Sequence, residues 1–291
     1  MAAVLLPLLT LCASATNLDA AEPDGGSTDR FGQRLAELKQ RHDLTGFRIA
    51  VESPFIVIGD ESQDQFDRHV EHTIRWAVTR LKEQYFQRDP EQVVSIWLFR
   101  DKVSYNGNVE RHFGRRPTTP FGYYSPPDRA LIMDISTGGG TLVHEIVHPF
   151  MAANFPACPA WFNEGLASLY EQCEDRKGKI CGRTNWRLRG LQKSIADQKL
   201  GTLAELCATS DREFYNDSKG THYAQARYLC YYLQEKGLLE RYYRQFRNSV
   251  GEDPSGYQTL LTVLSPEDAK TIDAAALETE WRRFVNQLRF P

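Results

Sequence analysis

The chain has 291 residues, 41% hydrophobic and 25% charged, with 35 Lys and Arg against 38 Asp and Glu for a formal net charge of -3. That length allows one large domain or two packed subdomains with a substantial core. With a pI near 6.2 the chain has no basic surplus for nucleic acid or an anionic membrane, so neither is expected as a partner and a folded, soluble enzyme fits.

The first feature in chain order is an uncharged apolar run from Ala2 to Leu11, followed by Ala13-Ser14-Ala15. The A-x-A pattern suits signal-peptidase cleavage before Thr16, and the run is too short to span a membrane. The expectation is a signal peptide over 1–15, no integral membrane segment after its removal, and a secreted or periplasmic location. Residues 16–28 are small, acidic and Gly/Pro-containing, which predicts a flexible leader.

Arg30 to His42 carries Phe31, Leu35 and Leu38 at helical spacing, and Phe47 to Val51 and Phe55 to Ile58 read as strands separated by Ser53-Pro54. From Gln65 to Phe86 an apolar stripe (Phe66, Val70, Ile74, Ala77, Leu81, Tyr85) predicts one long amphipathic helix covering a sheet. His69 and His72 lie off the stripe and read as a solvated face rather than a second metal site. Val93 to Phe99 is an apolar run rich in β-branched and aromatic residues, the pattern of an inner strand. Asp101 then caps a helix bearing Tyr105, Val109 and Phe113. After turns around Pro117 to Pro127, Ala130 to Ile135 reads as a strand and Gly138-Gly139-Gly140 leads into a helix.

That helix carries His144-Glu145-Ile146-Val147-His148. Histidines four apart on a helix project from one face a turn apart, so their ring nitrogens can converge on one tetrahedral metal ion. Glu145 shares the turn without being a ligand, which lets its carboxylate reach a water in the metal's open position as a general base. A catalytic site of this kind needs one more protein ligand, and Glu164, sixteen residues after His148 within Trp161-Phe162-Asn163-Glu164-Gly165-Leu166-Ala167, is placed to supply it. Leu142, Val143, Ile146, Val147, Phe150 and Met151 surround the motif, leaving little solvated face for idle charge, and buried imidazole and carboxylate groups require partners. Two imidazoles and a carboxylate favour Zn²⁺. Pro149 removes the backbone bond to the Glu145 carbonyl, and a kink is expected there.

Beyond Pro156 the pattern is helical almost throughout: Trp161 to Tyr170, Thr184 to Ala196, Leu203 to Cys207, Tyr223 to Lys236, Leu238 to Phe246 and Ala274 to Leu288, with Gly237 as a stop between two of them. After signal removal five cysteines remain, 158, 173, 181, 207 and 230, which can form two bridges in fifteen ways. Cys173 and Cys181 flank a polar, turn-prone loop, so in an oxidising compartment a Cys173–Cys181 bridge is expected.

The pair His144-Glu145-x-x-His148 and Asn163-Glu164-Gly165-Leu166-Ala167 resembles the gluzincin metallopeptidases of the peptidase-MA-like clan, which includes the aminopeptidase N and thermolysin families. Thr221-His222-Tyr223-Ala224 opens a helix where aminopeptidase N-like enzymes place the tyrosine that stabilises the tetrahedral intermediate. The resemblance implies zinc ligands His144, His148 and Glu164, general base Glu145, and Tyr223 as an electrophilic donor, with His222 as a lesser candidate for assistance. It also implies that the strand before the zinc helix, Leu131-Ile132-Met133-Asp134, is a sheet edge whose free backbone groups pair with an extended substrate, the alternative being an internal strand with no free edge. Two departures matter. The spacer between His148 and Glu164 is shorter than in most relatives bearing the tryptophan-rich Asn-Glu-Gly signature. No Gly-x-Met-x-Asn stretch, which holds the substrate's amino terminus in aminopeptidases, precedes the zinc helix; Phe121-Gly122-Tyr123-Tyr124 stands in its place.

The expected fold class is α+β: a small mixed-sheet α/β subdomain over 29–155 carrying the zinc helix, then a mainly helical subdomain over 156–291 carrying the third ligand, with the active-site cleft between them. The expected function is zinc-dependent hydrolysis of peptide or protein substrates, as an endopeptidase rather than an aminopeptidase. Two alternatives stand beside it: a zinc-stabilised scaffold without turnover, and a zinc amide hydrolase with a dedicated non-peptide or single-protein substrate.

Overall fold

A computed structural model describes residues 25–217, 219–265 and 272–290. The expected signal peptide and most of the leader lie outside the described residues; helix α1 (Gly25–Arg41) begins within the last part of that leader. The fold is mixed α and β, with a five-stranded sheet in the first half and helices in the second.

Strands β1 (Arg48–Glu52) and β2 (Phe55–Gly59) form an antiparallel pair. The long amphipathic segment that follows is helical as its stripe predicts, in three parts: α2 (Gln63–His69), a π-helical turn (Val70–Arg75) and α3 (Trp76–Gln84). Strand β3 (Val94–Phe99) is buried at every position, and Asp101 caps α4 (Lys102–Phe113) through the Ser104 amide at 2.8 Å. The short strand β4 (Gly122–Ser125) then turns back onto β5 (Ala130–Asp134).

The sheet order is β1-β2-β3-β5-β4, with β2, β3 and β5 parallel and an antiparallel strand at each edge. Alternation along the strands divides the core. Phe55, Val57, Ile96, Leu98, Leu131 and Met133 face α2, α3 and α5 (Gly139–Asn154), while Ile56, Ile58, Trp97, Phe99, Ala130 and Ile132 face α1 and α4. The sheet is therefore covered on both faces, which is why its inner strands read as continuous apolar runs.

The second half begins with α6 (Ala160–Leu169), almost wholly buried, followed by a hairpin of β6 (Cys173–Arg176) and β7 (Lys179–Gly182). Then come α7 (Arg187–Ala196), α8 (Leu203–Cys207), α9 (Asp211–Tyr215), α10 (Thr221–Glu235), α11 (Leu239–Ser249), α12 (Tyr257–Leu264) and α13 (Ala274–Gln287). One apolar cluster runs from Phe55 of the sheet through α5, α6 and α10 to Val285, so the two halves share a core. Gly237, at φ +70°, ends α10 as its sequence position suggests. Among the described residues no helix is long and apolar enough to cross a membrane.

Two sequence expectations change here, and a third feature, the helix through Pro149, is as expected. The loop between Cys173 and Cys181 is a β-hairpin whose two turn residues, Lys177 and Gly178, have φ of +56° and +79°. In its register Cys173 opposes Gly182 and Cys181 opposes Glu174, which sends the two sulfurs to opposite faces of the ribbon; both are free thiols, and a bridge would require the register to slip by one residue. Leu131 to Asp134 are not at a sheet edge: β5 lies between β3 and β4, fully buried, and the edge on that side is β4. Helix α5 continues through Pro149 to Asn154, with no N–H from Pro149 for the Glu145 carbonyl.

Candidate metal centre

Helix α5 buries Leu142, Val143, Ile146, Val147, Phe150 and Met151 against the sheet and neighbouring helices, which leaves His144, Glu145 and His148 on the side turned to α6 and the cleft. Helix α6 brings Glu164 to them. Gly165, next in sequence, makes this placement feasible: a Cβ there would meet the Ala226 carbonyl oxygen at 3.0 Å and Cys230 Sγ at 3.1 Å, so a glycine is what lets α6 and α10 approach closely enough to bring Tyr223 to the same cleft as the triad. At the start of α5, Gly140 packs directly against the Glu171 carbonyl, where a Cβ would collide.

Glu164 Oε2 lies 3.3 Å from His144 Nε2 and 3.9 Å from His148 Nε2, and one ligand atom from each residue falls within 4.8 Å of the others. On the far side His148 Nδ1 pairs with Asn163 Oδ1 at 3.1 Å, which fixes its tautomer and ring direction and leaves its Nε2 for a metal. His144 Nδ1 makes no hydrogen bond but lies 3.4 Å from the Glu171 Oε1 carboxylate oxygen, an ion-pair distance, with its Nε2 turned to Glu164. Glu171 is held in turn by Arg187, through Nη2 at 2.8 Å and Nε at 3.2 Å, and by Asn185 at 3.2 Å. Glu164 Oε1 accepts from the Tyr215 hydroxyl at 2.9 Å.

Glu164 Oε2 is buried without a hydrogen-bond partner. Leaving a buried carboxylate oxygen bare costs about 1–3 kcal/mol or more, and a cation between it and the two Nε2 atoms removes that cost. A buried His144-His148-Glu164 group therefore fits a metal ion.

Without a metal the cluster holds a proton. Burial alone would lower the His144 pKa, but the Glu164 and Glu171 carboxylates, 3.3 and 3.4 Å from its two ring nitrogens, and the charge of Glu145 raise it to about 10. Burial alone would raise Glu164, yet His144, His148 and Tyr215 bring it down to about 2; Glu171 is likewise brought down to about 2 by His144 and Arg187. The signs are opposite. His144, raised in the fold above its ordinary 6.5, contributes stability that is fully present below pH 6.5 and is lost as pH rises toward about 10. Glu164 and Glu171, depressed from 4.5, contribute stability present above pH 4.5 and lost as pH falls toward about 2. The melting temperature of chelator-treated protein is thus expected to decline from pH 6.5 to 10 by thermal scanning. Added metal, which replaces the proton on His144, should flatten that decline.

The site opens into a cleft of about 630 Å³. Phe121 and Gly122 from the start of β4 line one side; Trp186, Arg187 and Tyr223 line the other, with His144 and Glu145 between. Glu145 is only partly buried and accepts no hydrogen bond from the described residues, so its carboxylate is available to a bound water. Tyr223 lies in the first turn of α10, after an N-cap that is Gly220. Its ring sits 5.4 Å from the Arg187 guanidinium, and burial together with the nearby Glu164 pushes its hydroxyl pKa up, which keeps it a proton donor. Trp186 and Phe121 are 62% and 53% exposed, putting bare aromatic surface on both rims.

The structure thus brings together five residues expected from the sequence: His144, Glu145, His148, Glu164 and Tyr223. His222 is not with them. It stacks on Phe214 and lines a different cavity with Lys199 and Gln225. Leu131 to Asp134 face the core, as described above. Sequence reasoning gave no role to Asn163, Glu171, Arg187 or Tyr215. Glu171 lies just past the end of α6, so no local spacing points to it.

Residues 139–253 match a family described as "Protein of unknown function (DUF1570)". The matched segment runs from the first residue of α5 past the end of α11 and contains the metal triad, Glu145, Glu171, Tyr215 and Tyr223. No curated protein matches the chain.

Proposed function

We propose that the chain is a zinc-dependent metallopeptidase of the gluzincin type, cleaving internal peptide bonds of an exported or extracytoplasmic substrate. The observation that carries this reading is the convergence of His144, His148 and Glu164 beside an unpaired Glu145 that opens to a cleft. A purely structural metal site has no use for a free carboxylate next to its open side. Export rests on the apolar run 2–11 and Ala13-Ser14-Ala15.

When bound, zinc supplies Lewis acidity that brings the pKa of a water toward about 7 and polarises a carbonyl. Asn163 holds His148 by a hydrogen bond, and the Glu171 carboxylate attracts the far side of the His144 ring, so that both would present Nε2 to the ion. Glu145 takes the proton from the attacking water and returns it to the leaving amine. Tyr223 donates to the carbonyl oxygen as negative charge builds on it. At the cleft rim, Phe121 and Gly122 offer no charge to hold a substrate's ammonium group, and Glu171 is committed to Arg187 and His144; this favours an endopeptidase over an aminopeptidase.

One observation favours a substrate narrower than peptides in general. Thr119 Oγ1 accepts from the Gly122 amide at 3.1 Å and donates to the Gly122 carbonyl at 2.7 Å, so the sheet edge nearest the metal is capped by the chain itself. A peptide adding to β4 there must displace Thr119. A hydrolase with one dedicated protein or amide substrate is the second reading, and a broad peptide library compared with candidate whole proteins separates the two.

Tyr223→Phe is expected to lower kcat by about 10²–10³, or ~2.7–4 kcal/mol, if the phenol serves the oxyanion. Metal content and melting temperature should change little, since the ring remains and the hydroxyl lines the cleft. Unchanged turnover per folded molecule would remove Tyr223 from the chemistry.

A further inference from the structure

Glu164 is held asymmetrically. Its Oε2 is bare and faces the two Nε2 atoms, whereas Oε1 accepts the Tyr215 hydroxyl at 2.9 Å. Tyr215 is 51% exposed, yet its hydroxyl reaches a carboxylate that is 6% exposed. Its position is not left to a loose side chain. Tyr215 ends α9, whose first turn is closed by a capping box between Ser210 and Glu213 and whose first residue, Asp211, accepts the Ala160 amide at the start of α6 at 3.3 Å. Helix α9 therefore braces α6 at two points, its amino end and Glu164. Phe214, fully buried with its ring centroid 5.0 Å from that of Tyr223, fixes the rotation of α9.

We infer that Tyr215 is a positioning residue that confines Glu164 to one metal-facing oxygen and thereby keeps a coordination position open for solvent. The inference rests on the metal assignment above. A carboxylate can offer zinc one oxygen or two, and a site with two histidines, a glutamate and a water stays four-coordinate, with room around the water, only if the glutamate gives one oxygen. Nothing else among the described residues binds Oε1, so without the Tyr215 hydroxyl the carboxylate is free to rotate and present both oxygens. A second oxygen would crowd the attacking water and, with that water still bound, raise the ion from four ligands to five.

The test uses full-length protein, freed of metal and titrated with Co²⁺ alone, read by visible d–d absorption, which is severalfold stronger for four-coordinate than for five-coordinate cobalt. Wild type is expected to saturate at one cobalt per chain with the intense spectrum. Tyr215→Phe, which keeps the ring, is expected to saturate at one cobalt with absorption per metal lower by about twofold or more. Tyr223→Phe should retain the wild-type spectrum, because its hydroxyl does not bond Glu164. A saturated Tyr215→Phe spectrum identical to wild type overturns the inference, even if cobalt affinity has fallen by the roughly 10–100-fold that loss of an outer-shell partner brings. If Tyr215→Phe does not fold, Asp211→Ala, which frees the other end of α9, serves the same comparison with the same two outcomes. Wild type that takes up no cobalt overturns the metal assignment itself, and the inference with it.

Discussion

Glu164→Ala is expected to empty the metal site. Wild type purified without a histidine tag should retain about one zinc per chain through dialysis against a weak chelator, and the variant near none, because two imidazoles alone leave the ion without its only anionic ligand. The variant should also lose metal-dependent stabilisation. At a free zinc concentration about a thousand times the dissociation constant, a bound ion adds ~4 kcal/mol to wild type, so its melting temperature should respond to added zinc while that of the variant should not. Zinc content unchanged by the substitution would show that the ion, if any, is held elsewhere.

Glu145→Gln is expected to do the opposite: keep the zinc and the fold but lose roughly 10²–10⁴ of turnover, the range for a missing general base. The residue is partly exposed on the cleft and holds no other part of the structure, so an unchanged melting temperature is expected alongside the lost rate. A near-normal rate would remove Glu145 from the mechanism.

The His144-His148-Glu164 group that fits a metal ion was legible in the sequence because two of its members are set by local spacing. His144 and His148 share a helix face by the helical period alone, and the apolar residues between them mark the rest of that helix as buried. Glu164 needed only a second buried helix carrying a carboxylate. The inner strands β2 and β3 were legible for the same reason, as apolar runs of the right length.

What escaped depended on pairing between distant segments. Strand β4 is four residues long and lies in a stretch rich in Gly and Pro, so nothing local separates it from a turn; its pairing with β5 is what makes it the edge and β5 an inner strand. The Cys173 to Cys181 loop was polar enough to be taken for a bridged loop, yet its Lys177-Gly178 turn closes a hairpin and sets a register that parts the two sulfurs. Glu171 and Tyr215 act on His144 and Glu164 only after α9 and the segment beyond α6 fold back onto the site. The uninterrupted stripe from Phe66 to Tyr85 likewise gives no sign of the π-helical turn at Val70–Arg75, for which the structure offers no local cause.

The most direct test of the proposed function is a digest of a broad peptide library and of folded protein substrates by wild type, with Glu145→Gln protein at equal zinc content as the control. Cleavage at internal bonds by wild type, lost on chelation and reduced at least about a hundredfold in Glu145→Gln, is the expected result. Wild type that carries a full equivalent of zinc yet cleaves neither class of substrate, or cleaves as fast as Glu145→Gln, would contradict it.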